Sequence, residues 1–234
     1  MKKIILSLTA MMLSWVGVSA QSEPGTFSLQ PKIGITTAAL TNMPDLDIVG
    51  LDRDYKLKKD FFPGALIGAE AEYRMTPLFS VAAGLNFALQ GGQWKDKAIG
   101  LTRDGIRGIA EIKDTKIELG YVNLPIVANF YVIEGLALKT GVQFGLLTYA
   151  KSKSEASVTI NGITESEKEN DDIMDECNKF DFSIPVGVSY EFSNNLVLDA
   201  RYIFGLTKIN KEVEDFGDLK NRLLTITIGY KFDL

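Results

Sequence analysis

The last thirteen residues of the chain, Arg222 to Leu234, constrain the fold more than any other stretch. From Leu224 onward every even-numbered residue is large and apolar, whereas the odd-numbered residues are small or polar. This period of two is typical of a β-strand with one apolar face and one polar face. A strand so long and so regular would aggregate at the edge of a soluble sheet, but it can close a barrel whose outer surface contacts lipid.

The same alternation recurs along the chain and predicts seven further strands. With the C-terminal strand at 222–234, the predicted strands are 27–40, 62–74, 78–90, 116–132, 136–149, 180–192 and 196–207. Tight turns and long, charged loops alternate between them, as in outer-membrane barrels, which have short periplasmic turns and long outer loops. The sequence therefore predicts an all-β fold, an eight-stranded antiparallel up-and-down transmembrane β-barrel.

The predicted connections are of two kinds. The tight turns are 75–77, 133–135 and 193–195, and the long loops are 41–61, 91–115, 150–179 and 208–221. Within the fourth strand the apolar residues are odd-numbered up to Tyr121 and even-numbered from Leu124. One extra residue near Val122 to Pro125 would restore the pattern, so we predict a β-bulge there, where a proline is also easier to accommodate.

Aromatic residues fall near both ends of the predicted lipid-facing surface, as the two aromatic girdles of such barrels do. They are Phe27, Tyr73, Phe79, Tyr190, Tyr230 and Phe232 on the turn side, and Phe87, Tyr121, Phe182 and Phe204 on the loop side. The alternative is a soluble, exported β-sandwich or lipocalin-like barrel with a polar outside. The membrane barrel is favoured because the polar face carries small residues and charges of both signs.

Residues 1–20 have the pattern of a cleaved signal peptide. Lys2 and Lys3 precede an apolar run, and the small residues Ser19 and Ala20 precede the cleavage site. Export to the outer membrane of a Gram-negative cell follows, with residues 21–234 as one barrel domain. The alternative, an N-terminal membrane anchor, is disfavoured because the apolar run is short. The residue directly after the cleavage site is Gln21 and not a cysteine, which excludes a lipoprotein.

Charge and residue usage exclude several classes of function. Without Lys2 and Lys3, 23 basic and 30 acidic residues remain, a formal charge of −7 that argues against a nucleic-acid partner. The chain has no histidine, which excludes an imidazole base and histidine zinc sites. We therefore expect no enzyme, no cofactor and no catalytic or metal centre. The alternative is a site of Ser, Asp and Lys near Asp181 or Ser183.

The polar face of the strands predicts what fills the barrel. Counted from the short turns, four acids and five bases fall in the periplasmic half of the lumen: Lys32, Glu70, Glu72, Arg74, Lys139, Glu191, Asp199, Arg201 and Lys231. Because buried charges must be paired, we expect these residues to form a structural plug rather than a gated or ligand-binding pocket.

Nearer the loops the polar face carries small residues. They are Gly34, Thr36, Gly64, Ala88, Gly145, Ser183, Gly205 and Thr225. Their small volume predicts a shallow cup above the charges, open only to the outside.

An acidic run in the third loop is a weak candidate for divalent cations, because hard cations prefer oxygen ligands. The candidates are Glu169, Asp171, Asp172, Asp175 and Glu176. Their spacing is not that of an EF-hand, so a solvated loop is the favoured reading. The single cysteine, Cys177, lies in the same loop and could pair with another chain, although an incidental thiol is favoured.

Four short motifs resemble the porin-like outer-membrane β-barrel domain of the PorT family. They are Pro31-Lys32-Ile33-Gly34, Gly64-Ala65-x-x-Gly68, Tyr121-Val122-Asn123-Leu124-Pro125 and Gly229-Tyr230-Lys231-Phe232. The resemblance covers residues 27–234 and implies an outer-membrane barrel. One branch of the family is linked to secretion and gliding machinery, but no residue here transfers that role.

Together these features favour a structural, envelope or partner-binding role for a monomeric barrel. The alternatives are a small-solute pore or a component of a secretion machinery, and less so an enzyme. The expected partners are outer-membrane lipid, lipopolysaccharide, and an envelope or extracellular protein.

Overall fold

The computed structural model of the chain describes residues 23–48, 55–103, 106–211 and 217–234. The predicted signal peptide lies outside these residues. The strands are β1 (Phe27–Leu40), β2 (Leu46–Ile48), β3 (Tyr55–Leu57), β4 (Lys59–Asp60), β5 (Phe62–Thr76), β6 (Phe79–Trp94), β7 (Lys97–Arg103), β8 (Ile106–Ile133), β9 (Leu136–Ile160), β10 (Ile163–Asp172), β11 (Phe180–Glu191), β12 (Leu196–Gly205), β13 (Asn221–Tyr230) and β14 (Phe232–Asp233).

Eight of the described strands close into a ring, in the order β1, β5, β6, β8, β9, β11, β12 and β13. Every neighbouring pair in this ring is antiparallel, and β13 closes it by pairing with β1 from Gly229 and Lys32 to Asn221 and Leu40. The predicted eight-stranded antiparallel barrel is confirmed.

The side chains of the barrel strands point alternately outward and inward, as the alternation in the sequence predicts. On β13 the side chains of Leu224, Ile226 and Ile228 are 41% to 45% exposed on the outside, while Thr225 and Thr227 are 2% exposed inside. An apolar outside and a polar inside are the reverse of a soluble barrel. The outer surface is therefore suited to lipid.

The three predicted tight turns are present at one end of the barrel. They join β5 to β6, β8 to β9, and β11 to β12. Gly135, in the second turn, has a φ of +77°, a backbone conformation that favours glycine. Among the described residues the one helix is a 3-10 turn, Met174–Glu176, and no helix is long and apolar enough to cross a membrane.

Two of the predicted long loops are instead largely β-structure. β6 continues to Trp94 and β8 begins at Ile106, within the predicted loop 91–115, while β9 continues to Ile160 within 150–179. The strands were predicted from their apolar face, which a strand in contact with lipid requires. Above the membrane both faces of a strand can be polar, so the alternation disappears although the strands continue.

These extensions form a four-stranded antiparallel sheet beyond the barrel, in the order β7, β8, β9 and β10. We call it the outer sheet. Its last strand, β10, is exposed along its whole length. At the tip, Asn161 and Gly162 both have positive φ, which suits a tight two-residue hairpin turn.

The extra residue predicted in β8 near Val122 to Pro125 lies instead in the neighbouring strand β9. β8 pairs in continuous register with β6, and its pairing with β9 shifts between Gly120 and Tyr121, where Thr148 of β9 is the extra residue. The apolar phase changes because Tyr121 points into the barrel and is fully buried. The placement of Tyr121 in the outer aromatic girdle is therefore also wrong.

Candidate functional site

The charged side chains predicted for the lumen are buried inside the barrel. We call them the charge network, and their exposed fractions lie between 1% and 6%: Lys32, Glu70, Glu72, Arg74, Lys139, Glu191, Asp199, Arg201 and Lys231. Strand alternation places them there, because each occupies an inward position of its strand.

Arg201 lies at the centre of the larger part of this network. Its Nη1 and Nη2 atoms donate to the two carboxylate oxygens of Glu70 at 2.6 and 2.7 Å, and Nη2 also donates to Asp199 at 2.8 Å. Lys32 donates to Glu70 at 2.5 Å, and Lys139 donates to Asp199 at 2.7 Å. Three cations therefore share two carboxylates in one hydrogen-bonded cluster.

Lys231 organises a second cluster nearer the turns. Its Nζ lies 2.7 Å from a Glu191 oxygen and 3.2 Å from a Glu72 oxygen. Glu72 also accepts hydrogen bonds from Ser80 at 2.7 Å and from the Tyr131 hydroxyl at 2.6 Å. Ser80 and Tyr131 were not among the residues predicted for the network, although both lie at inward positions of their strands.

Arg74 completes the network at the turn end of the lumen. Its guanidinium carbon lies 3.4 Å from the centre of the Tyr131 ring, and Nη2 donates to the carbonyl of Pro77 at 2.9 Å. A cation over an aromatic face is stabilised more strongly when it is desolvated, as here.

Amides, hydroxyls and the carboxyl group of Asp181 lie between the charge network and the outer end of the barrel. Asn123 donates to Asn86 at 3.2 Å, and Thr207 donates to Asp181 at 2.9 Å. Asp181 and Ser183, considered above for an enzyme site, are 3% and 0% exposed. A large substrate therefore cannot reach the carboxyl group of Asp181 or the hydroxyl of Ser183.

The predicted open cup is wrong. Thr36, Ala88, Ser183 and Thr225 were expected to line it, yet each is at most 2% exposed. They are covered by buried apolar side chains at the outer end, which we call the apolar cluster: Leu40, Met43, Leu57, Trp94, Leu119, Tyr121, Leu147, Ala150, Cys177, Ile209 and Leu219. Leu147 was an available signal for this cluster, because alternation puts it at an inward position of β9. Leu119 was not, because its apolar side chain was assigned to the lipid-facing side.

Part of the first predicted loop covers this cluster. β2 and β3 pair with each other, Leu57 of β3 belongs to the cluster, and Leu46 and Ile48 of β2 pack against it. Trp94 fixes the approach to this strand pair, since its indole N–H donates to the Pro44 carbonyl at 2.9 Å. The outer end of the lumen is therefore covered by folded chain.

Cys177 belongs to the apolar cluster and is 5% exposed. Its backbone pairs with Asn210, which holds the segment after β10 against the barrel mouth. Burial raises the pKa of the Cys177 thiol to about 11. A thiol that is buried and protonated is poorly suited to pairing with another chain.

The five acidic candidates for a cation site are not brought together. Along β10, Glu169 and Asp171 project from one face and Asp172 from the other, and all three are exposed. Asp172 instead accepts a hydrogen bond from the Met174 backbone N–H at 2.9 Å. In the part of the chain that the structure describes, no three acidic or cysteine side chains are grouped as metal ligands.

A ring of eight antiparallel strands with an apolar outside and a charged inside defines an integral outer-membrane β-barrel protein. Residues 19–211 match the profile of the family described as Outer membrane protein beta-barrel domain. The chain belongs to this family. No curated protein is similar enough in sequence to count as a match.

Solved structures similar to this chain include two small outer-membrane proteins. Ail, the attachment invasion locus protein of Yersinia pestis, is 14% identical with a TM-score of 0.41, covering 90% of this chain and 100% of Ail. Neisserial surface protein A is 16% identical with a TM-score of 0.42, covering 88% of this chain and 97% of that protein.

Proposed function

We propose that this protein is a closed, non-catalytic outer-membrane barrel that displays the outer sheet to a protein partner. The observation that carries the proposal is the filling of the lumen at two levels, by the charge network and by the apolar cluster. A barrel whose lumen is filled in this way is suited to hold a structure at the cell surface rather than to transport solutes. The outer sheet extends beyond the barrel as four paired strands.

The closed lumen follows from strand number and side-chain volume. Eight strands enclose a space that side chains can fill, whereas aqueous channels are found at roughly 16 strands. Here an ion would first meet the apolar cluster, where Leu119 and Tyr121 are fully buried. It would then have to separate ion pairs such as that of Arg201 with Glu70. Both barriers oppose conduction.

The absence of catalysis is supported by the chemistry of the inward residues. The chain has no histidine, and Asp181 and Ser183 are enclosed among other side chains. Purified barrel should hydrolyse neither lipid nor peptide. Hydrolysis that is lost in Asp181→Asn or Ser183→Ala would overturn this part of the proposal.

The display role is supported by the shape and exposure of the outer sheet. β8 and β9 are 28 and 25 residues long, far more than the 9–11 residues that a transmembrane strand needs. Strand β10 leaves one edge of this sheet open to pairing or contact.

A shortened hairpin tests the display role without disturbing the barrel. Deleting residues 156–159 together with 164–167 keeps the pairing of Glu155 with Lys168 and the turn at Asn161 and Gly162. An even number removed from each strand also preserves which face each side chain occupies. Partners captured by crosslinking of whole envelopes should be lost in this variant.

The matched control is Glu167→Gln, which changes one exposed charge of β10 and keeps the hairpin length. It should capture the same partners as the wild type. Unchanged capture by the shortened variant would contradict display by the outer sheet, and loss of solute uptake in that variant would favour transport.

A further inference from the structure

An arginine lies on the lipid-facing side of the barrel near its outer end. Burial alternates along residues 219–224, with Leu219, Asn221 and Leu223 inside, so Arg222 lies on the outside. Leu219 belongs to the apolar cluster, which fixes the outer end. A charge on the lipid face is unfavourable at mid-membrane and tolerated near the interface, so Arg222 marks the level of the outer headgroups.

The guanidinium of Arg222 is positioned by the wall itself. Nη1 donates to the carbonyls of Gly205 and Asn221 at 2.8 and 3.1 Å, and the guanidinium carbon lies 5.6 Å from the centre of the Phe204 ring. Among the described residues no carboxylate forms an ion pair with Arg222. Its remaining N–H groups are donors for an anion from outside the protein.

Lys220 adds a second cation on the same side. It lies two residues from Arg222 in extended chain, where Thr41 pairs with its backbone through hydrogen bonds of 2.9 and 3.0 Å. No ion pair of Lys220 exists within the described ranges. The next charged pair outward is Lys208 with Asp218, at 2.7 Å. Among the described residues 217–222, Asp218 is therefore engaged by Lys208, and Lys220 and Arg222 have no carboxylate partner.

The opposite part of the rim differs. On β8 and β9, Lys153 lies 2.5 Å from Glu118, while Lys116 lies 3.9 Å from Glu118 and 3.3 Å from Asp114. There the protein supplies its own anions. Among the described residues, no acid forms an ion pair with Arg222 or Lys220, so these two cations on the β12–β13 side can bind an anion from outside the protein.

Apolar side chains continue directly below and beside the two cations. Phe204 pairs with Arg222 across β12 and β13, and Leu206 and Leu224 are 44% and 41% exposed on the same outer surface. On the other side Arg222 pairs with Ala39, whose small side chain leaves room against the wall. An amphiphile with acyl chains and an anionic head matches this arrangement.

We infer that Arg222 and Lys220 bind the phosphate of a phosphorylated glycolipid in the outer leaflet, with its acyl chains against Phe204 and Leu206. Arginine favours phosphate because its planar N–H groups match two phosphate oxygens. Basic residues beside an anionic membrane surface contribute roughly a fivefold gain in affinity each. The inference rests on the outer-membrane placement proposed above.

The test compares diphosphorylated lipid A with its dephosphorylated form, titrated into the folded barrel in neutral detergent and followed by native mass spectrometry. The wild type should prefer the phosphorylated lipid by about 25-fold, and R222Q/K220Q should lose that preference. The control K116Q/K153Q removes two rim cations that already have acidic partners, and it should keep the preference. Inorganic phosphate should not displace the lipid.

Equal affinity of the wild type for both lipids, or an undiminished preference in R222Q/K220Q, would overturn the inference. Displacement by inorganic phosphate alone would overturn the assignment to a lipid. If the double variant does not fold, K220Q alone should lower the preference about fivefold. An unchanged preference in K220Q would then contradict the site. Heat-dependent migration on a detergent gel shows independently whether the barrel is folded. A folded wild type that shows no lipid preference would therefore refute only this inference and not the proposed barrel.

Discussion

Arg201 reaches Glu70 across the lumen through two hydrogen bonds of 2.6 and 2.7 Å, although β13 and β1 separate their strands in the ring. The two residues are 131 positions apart in the chain. A bidentate arginine–carboxylate pair is both strong and directional. It therefore connects non-adjacent parts of the wall through the interior of the barrel.

Neutralising Glu70 should destabilise the barrel strongly. Glu70→Gln leaves Arg201 and Lys32 buried with too few anions, and removing one partner of a buried ion pair costs about 3–5 kcal/mol. Urea unfolding in lipid vesicles measures the free energy of unfolding. The exposed Glu167→Gln should change it by less than about 0.5 kcal/mol.

The coupling between the two residues can be measured in the same assay. If they act as one unit, Glu70→Gln combined with Arg201→Gln should cost less than the sum of the single changes. Strict additivity, or a loss below about 1 kcal/mol for Glu70→Gln, would mean that the pair does not support the fold.

The apolar cluster should contribute to stability through its packing. Leu119 is fully buried, so Leu119→Ala should lower the free energy of unfolding by about 2–5 kcal/mol through lost contacts and a cavity. Leu119→Met keeps the volume and should cost less than about 1.5 kcal/mol. Equal effects of the two variants would indicate that water already fills the outer end of the lumen.

Cys177 should resist alkylation in the folded barrel. It is 5% exposed, and burial raises its pKa to about 11, so at pH 8 the nucleophilic thiolate is scarce. Maleimide should label it only after unfolding. The control S166C/C177A places a thiol on exposed β10 and should react at once. Rapid labelling of the native wild type would contradict the burial of Cys177.

The same pKa predicts how stability depends on pH. The thiol of Cys177 loses its proton near its usual value of 9.0 when unfolded and near 11 when folded. The folded state therefore holds the proton longer, and the contribution of this group falls as pH rises from about 9 to about 11. Over that range the wild type should lose stability relative to Cys177→Ala. A constant difference between the two would contradict the assignment.

Strand alternation predicted which face each residue occupies, because the period of two is built into extended chain. It placed Lys32 and Arg201 inside correctly. It could not predict that Arg201 contacts Glu70, because an inward orientation does not determine which residues face each other across the lumen. Leu119 and Tyr121 misled the prediction, since an apolar residue fits a lipid-facing position and an apolar interior equally well.

The central claim is that side chains close the barrel at two levels, and single-channel recording in planar bilayers tests it most directly. The fully buried Tyr121 and the paired Arg201 should both block ions, so folded wild-type protein should give no steady conductance. Heat-dependent migration of the same sample on a detergent gel shows that the barrel is folded. Large, long-lived openings from folded wild-type protein would contradict the claim.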